Sequence, residues 1–148
     1  MLFGNKELIF DKPLVMGIIN ITTDSFSDGG KFISNNLALE FDLRKIIKEI
    51  NFLEKSGASF IDIGAESTRP GYSPISTQEE LDRLIPVLEL ISETKSIISI
   101  DTRKPEVMKE VLKFPIGLIN DVSGLTSISG RELAVSYTHL TLPTTMLV

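Results

Sequence analysis

Four short apolar runs in this chain each lead directly into groups able to hydrogen-bond or carry charge. Asn20 closes "LVMGIIN", "ESTRPG" follows "FIDIGA", Asp101 falls in "IISIDT", and Asn120 and Asp121 fall in "GLINDV". In parallel α/β proteins the loops after the strands emerge on one face, so these amide, hydroxyl, guanidinium and carboxylate groups would share a rim. Arg69, inside the Ser-Thr/Pro-Gly loop, suits forked contact with a carboxylate or phosphate. The first run opens into "NITTDSFSDGG", a polar, glycine-ended loop with two aspartates and one aromatic residue. Its Gly29-Gly30 pair is by itself weak evidence for a phosphate cradle.

Each residue also has a plainer reading. Asn20 and Asn120 suit loop capping, since Asn commonly bonds nearby backbone. Asp101, ahead of "TRKPEV", suits an N-terminal helix cap. Arg69 suits a surface salt bridge, and "STRPG" an ordinary turn. Asp62, in mid-run, requires a buried hydrogen bond, because an unpaired carboxylate there is costly.

The elements that must position these groups follow a βα rhythm. The runs Leu14 to Asn20, Phe60 to Ala65, Ile97 to Thr102 and Gly117 to Val122 are mostly apolar, as parallel strands covered on both faces would be. Between the first two, Leu39, Leu43, Ile46, Ile50 and Leu53 repeat at helical spacing, and Gly57 stands where a helix C-cap belongs. Thr77 and Glu80 form a capping-box pattern ahead of Leu81, Leu84, Ile85, Leu88 and Ile91. A third helix starts near Pro105, with Val107, Met108, Val111 and Leu112 on its apolar side. The leading "LFGNKELIF" reads as two strand pieces around a Gly-Asn turn, placed to close the bottom of a sheet or barrel.

The composition narrows the classes. With 148 residues, 42% hydrophobic and 24% charged, the chain has the makeup of one globular domain. A net charge of -5 argues against nucleic-acid or anionic-membrane surfaces, so an anionic ligand must be held locally. The absence of cysteine excludes disulfides, zinc-thiolate sites and a Cys nucleophile. With no signal-peptide pattern and no membrane-length apolar run, the expected location is the cytoplasm.

Together, "MGIINITTDSFSDGG", "GASFIDIGAESTRPG", "SIDTRKPEV" and "INDVSG", in this order, resemble the dihydropteroate synthase family. The resemblance spans Phe10 to Ala134 and implies a (β/α)8 TIM barrel of which this chain supplies about the first four βα units. It implies condensation of hydroxymethyl-dihydropterin pyrophosphate with para-aminobenzoate, giving dihydropteroate for folate synthesis and releasing pyrophosphate. Sulfonamides compete with the aminobenzoate in that family, and its members are commonly homodimers.

Carried over by motif, Asn20 would hold the Mg²⁺ that accompanies the pyrophosphate. Asp101 and Asn120 would hydrogen-bond the pterin. Thr68, Arg69 and Pro70 would belong to a loop shaping the pyrophosphate and aminobenzoate sites, and Asp24 would act from the first loop once it closes.

The chain departs from the family in two ways. Thr23 stands where the family usually has proline, which releases a fixed φ in the first loop. A whole barrel has eight βα units in about 250 residues; the family's later pterin-binding aspartate, its lysine and its Arg-x-His have no counterpart here. Residues 135–148, "VSYTHLTLPTTMLV", abandon the rhythm and read as foreign or frameshifted sequence, with His139 uninvolved. Two alternatives stand beside the synthase: a pterin-binding methyltransferase module on a similar barrel, and a non-catalytic truncated product prone to self-association through its open sheet edges.

Overall fold

The computed structural model describes residues 1–21, 36–66, 73–91 and 93–136, with the backbone alone at 36–42 and 134–136. Among these residues the order is β1 (Leu2–Phe3), β2 (Lys6–Glu7), β3 (Met16–Asn20), α1 (Asn36–Lys55), β4 (Phe60–Gly64), α2 (Thr77–Leu90), β5 (Ile97–Asp101), α3 (Pro105–Val111), β6 (Leu118–Asn120) and α4 (Ile128–Ser136). The four described strands after β2 form one sheet, β3-β4-β5-β6, with every pairing parallel. Sequence order equals spatial order, as successive βα units require.

One face of the sheet is covered by helices. Ile19, Ile61, Ile63, Ile98 and Ile100 project into a core shared with Ile46 and Ile50 of α1, Leu84, Val87 and Leu88 of α2, and Val107 and Val111 of α3. The helical spacing seen in the sequence thus reports the buried stripe of each helix. Gly57 ends α1 with φ 95, a conformation that favours glycine, as its C-cap position anticipates.

The opposite face is layered. At its lower end Phe60 and Ile97 pack with Phe3 of β1, whose ring meets Phe60 edge to face at 5.1 Å between centroids. The β1–β2 hairpin turns at Gly4 and Asn5 and is fastened by Lys6 Nζ, which donates to the Thr94 and Ser96 carbonyls at 2.6 Å each. It closes the bottom of the sheet, as expected from "LFGNKELIF". Above this apolar floor lie Asp62 and Ser99, paired in register, and above them the polar strand ends. On β3 the same face is open: Ile18 is 67% exposed and Met16 is also exposed, unlike the two-sided burial expected from its composition.

Two expected caps differ. The cap of α2 is Ser76, whose hydroxyl accepts from Glu79 N at 3.1 Å; Thr77 is already helical. Glu80, read as the acidic half of a Thr77 capping box, is instead buried. It stands one turn before Leu84 on the core-facing stripe, so its direction is set by helix geometry. Asp101 does not cap α3: Lys104 holds the N-cap position, and Thr102 Oγ1 accepts from Lys104 N at 3.3 Å. Pro105 does open the helix as expected. The last helix among the described residues, α4, runs through Ser136.

Candidate functional site

The parallel ladder aligns Asn20 with Gly64, Gly64 with Asp101, and Asp101 with Asn120. Three of the residues singled out in the sequence therefore form one row across the C-terminal ends of four strands. Strand periodicity points their side chains to the face away from the helices, with Asp62 and Ser99 two residues earlier in their strands and on that same face.

Gly64 leaves the gap in this row. A Cβ built there would lie 3.4 Å from Asp101 Cβ and 3.5 Å from both Asp101 Oδ2 and Asn20 Oδ1. These are ordinary contacts, so Gly64→Ala is expected to fold, with a stability change below about 1 kcal/mol. Its methyl would occupy the space between the amide and carboxyl groups. Ligand affinity in the full-length protein is expected to fall by roughly 10- to 100-fold, read by calorimetric titration beside a thermal melt.

Beneath the row, Asn120 Nδ2 donates to Asp62 Oδ2 at 2.9 Å. This bond gives Asp62 Oδ2 a buried partner, and it shows the Asn120 amide turned across β5 toward β4. Beyond β6, Asp121 accepts from Ser123 N at 2.8 Å, from Ser123 Oγ at 2.9 Å and from Leu125 N at 2.9 Å. It is Asp121, next to Asn120, that orders the following turn.

Electrostatics single out Asp101. Burial, then the carboxylates of Asp62, Glu80, Asp121 and Glu66, push its carboxyl up to about 6. An N–H donor on a ligand would relieve the repulsion and favour the charged form. The row thus joins amide oxygen and nitrogen groups to a carboxyl whose charge is poorly compensated, a set suited to a flat polar ligand that offers donors.

The sequence reading missed the network that supports this rim. Lys104 Nζ donates to Glu66 Oε2 at 2.6 Å, Glu80 Oε2 at 2.7 Å and Ile75 O at 2.7 Å. Arg103 pairs with Glu66 as well. Burial alone would raise the Glu66 carboxyl, but the hydrogen bonds and charges of Lys104 and Arg103 hold it below its ordinary value. Lys104 is likewise pulled down by burial and, more strongly, held up by Glu66 and Glu80. From α2, Arg83 Nη1 donates to Ala65 O at 2.9 Å and to Ile21 O at 3.4 Å, tying together the exits of β3 and β4. The available sequence signal was Glu80, an acid on an apolar helical stripe; its partner Lys104 lies in another βα unit.

Asp24, Thr68, Arg69 and Pro70 lie outside the described residues. For a divalent cation, the described residues hold no cluster of three or more His, Cys, Asp or Glu side chains. Asn20 Oδ1 faces the Gly64 gap as a neutral hard-oxygen donor. That fits Mg²⁺ arriving with a substrate's phosphates and keeping several waters, since Mg²⁺ is usually held this way and not in an all-protein cage.

A parallel sheet with helices on one face and polar strand ends on a common rim defines the first four βα units of a TIM-barrel enzyme. Residues 16–140 match the family of pterin binding enzymes, and the chain belongs to that family. It is 45% identical over 129 residues to dihydropteroate synthase of Escherichia coli K12, covering 86% of this chain and 43% of that protein. Among solved structures it is similar to the Xanthomonas albilineans dihydropteroate synthase with 4-aminobenzoic acid, at TM-score 0.76 and 38% identity, covering 93% of this chain and 49% of that one. It is also similar to the Burkholderia cenocepacia enzyme complexed with 7,8-dihydropteroate, at TM-score 0.68 and 37% identity, covering 88% and 40%. The chain thus spans less than half the length of each of these relatives.

Proposed function

We propose that the full-length protein carrying this segment is a dihydropteroate synthase, joining hydroxymethyl-dihydropterin pyrophosphate to para-aminobenzoate. The observation that carries this reading is the register of Asn20, Gly64, Asp101 and Asn120 along one rim, in a chain of the pterin-binding family. Asp101 and Asn120 hydrogen-bond the pterin, whose ring donors offset the poorly compensated Asp101 charge. Its amide and carboxyl partners fix the ring in orientation, which places the reacting methylene toward the loops.

At that carbon the bond to the pyrophosphate oxygen breaks and a bond to the aminobenzoate nitrogen forms; pyrophosphate departs and the nitrogen loses a proton. Developing positive charge on the pterin methylene and negative charge on the leaving group need separate stabilisation. Asn20 would hold the Mg²⁺ that accompanies the pyrophosphate, and that ion, when bound, would neutralise charge on the leaving group. Asp24 orders this assembly and balances the cation from the first loop, while Thr68, Arg69 and Pro70 shape the pyrophosphate and aminobenzoate sites. Exclusion of water from the site would keep it from capturing the cation. The aminobenzoate site is also where sulfonamides would compete.

The test is product formation by the purified full-length protein given both substrates and Mg²⁺. Dihydropteroate released with an equal amount of pyrophosphate supports the reading; a folded protein that forms neither overturns it. Binding of methyl-tetrahydrofolate without such turnover would favour the methyltransferase alternative.

A further inference from the structure

We propose that Asp62 is a positioning residue, fixing the orientation in which the Asn120 amide meets the ligand. The proposal deepens the pterin-binding reading and rests on it for what the ligand is. Asp62 sits in the middle of β4 and is 5% exposed. Its Oδ1 is buried and has no hydrogen-bond partner among the described residues, and the fully buried hydroxyl of Ser99, its register partner, is in the same state. A carboxylate so placed is unfavourable for folding compared with an apolar side chain of similar size. Stability therefore does not account for an acid at this position.

What Asp62 does provide is one directional bond, from Asn120 Nδ2 to its Oδ2 at 2.9 Å. A carboxylate only accepts, whereas an amide can present either oxygen or nitrogen. Facing Asp62, the amide must turn its nitrogen inward, and that choice also decides where Oδ1 and the second N–H point. Asn120 stands beside Asp101 in the ladder, so the fixed amide edge adjoins the carboxyl that would receive the same ligand. Hydrogen bonding to a charged acceptor also polarises the amide. Without Asp62 the amide can rotate and flip, and a ligand must immobilise it on binding. Ordering one such side chain corresponds to a loss of about ten-fold in affinity.

The test uses the full-length protein, labelled with ¹⁵N at asparagine, and the variants Asp62→Leu, Asp62→Ala and Asp62→Asn. In the ligand-free state the Asn120 side-chain N–H₂ signals are expected to show slow hydrogen exchange that is lost in Asp62→Leu and retained in Asp62→Asn, whose amide oxygen can still accept. Calorimetric titration with 7,8-dihydropteroate is expected to weaken about ten-fold for Asp62→Leu and less than three-fold for Asp62→Asn. The Tm of Asp62→Leu is expected to equal or exceed that of the wild type. Asp62→Ala serves the same comparison should leucine not be accommodated.

Unchanged Asn120 exchange in the folded leucine or alanine variant overturns the proposal. So does wild-type affinity in that variant, or weakening that only follows a fall in Tm. If the wild type does not bind dihydropteroate, the functional reading falls, and the exchange measurement still decides whether Asp62 holds the amide.

Discussion

Lys104→Met is expected to cost roughly 3 kcal/mol of stability, because it strands the buried Glu80 carboxylate and leaves Glu66 paired with Arg103 alone. Glu80 has 2% of its side chain exposed and Glu66 has 12%, so neither can recover its hydration without movement of α2 or of the segment after β4. The loss should depend on pH. The lowered Glu66 value makes its contribution present above the ordinary 4.5 and lost as the pH falls through the native value. The raised Lys104 value makes its contribution present below the ordinary 10.5 and lost as the pH rises through the native value.

The deficit of Lys104→Met should therefore be largest on the plateau between these limits and shrink on acidification. Urea unfolding at several pH values measures it. Lys104→Met/Glu80→Leu, which removes the more deeply buried carboxylate, should recover much of the loss; a single variant as stable as the wild type at neutral pH would show that the network contributes little.

Asp101→Asn is expected to act in the opposite direction on stability while weakening ligand binding. The native carboxyl titrates at about 6 against an ordinary 3.8, so between these values the folded state holds the proton more tightly than the unfolded state. Stability consequently falls as pH rises from 3.8 through 6, and the charged side chain is a burden above that range. Asparagine removes this burden. Because Asp101 is only half-buried, solvent screening reduces the expected gain at pH 7 to about 1 kcal/mol, and the gain should vanish near pH 3. Loss of a charge-assisted hydrogen bond should weaken pterin binding by about 100-fold. Thermal melts at pH 3, 5 and 7 with parallel titrations measure both effects; unchanged affinity would remove Asp101 from the ligand site.

The opposite signs expected at Lys104 and Asp101 separate support from function. Lys104 pairs with the carboxylates beside it, whereas Asp101 is held among like charges that a ligand could offset. A buried or half-buried acid with poor compensation is a burden to the fold and an asset to a site.

The main architecture was legible because its signals are local. The apolar runs and the stripe Leu43, Ile46, Ile50 and Leu53 announced strands and helix before any tertiary contact was known, and these residues do line the core or its margin. Asn20, Asp101 and Asn120 were recognisable as strand-end residues, though their shared row depends on sheet register, which spacing along the chain does not specify. Glu80 was misread for the converse reason: its position three residues after Thr77 fits a local cap, and only the packing of α2 turns it inward. The Asp62–Asn120 bond joins residues 58 positions apart, and the Lys104 contacts join separate βα units. Such bonds leave no periodic trace in a sequence.

The most direct test of the proposed pterin site is a crystal structure of the full-length protein with 7,8-dihydropteroate. The predicted result places the pterin ring within hydrogen-bond distance of Asp101 and Asn120, above Gly64, with Asn120 Nδ2 still on Asp62. A ring bound elsewhere, with the row from Asn20 to Asn120 left to solvent, would contradict it.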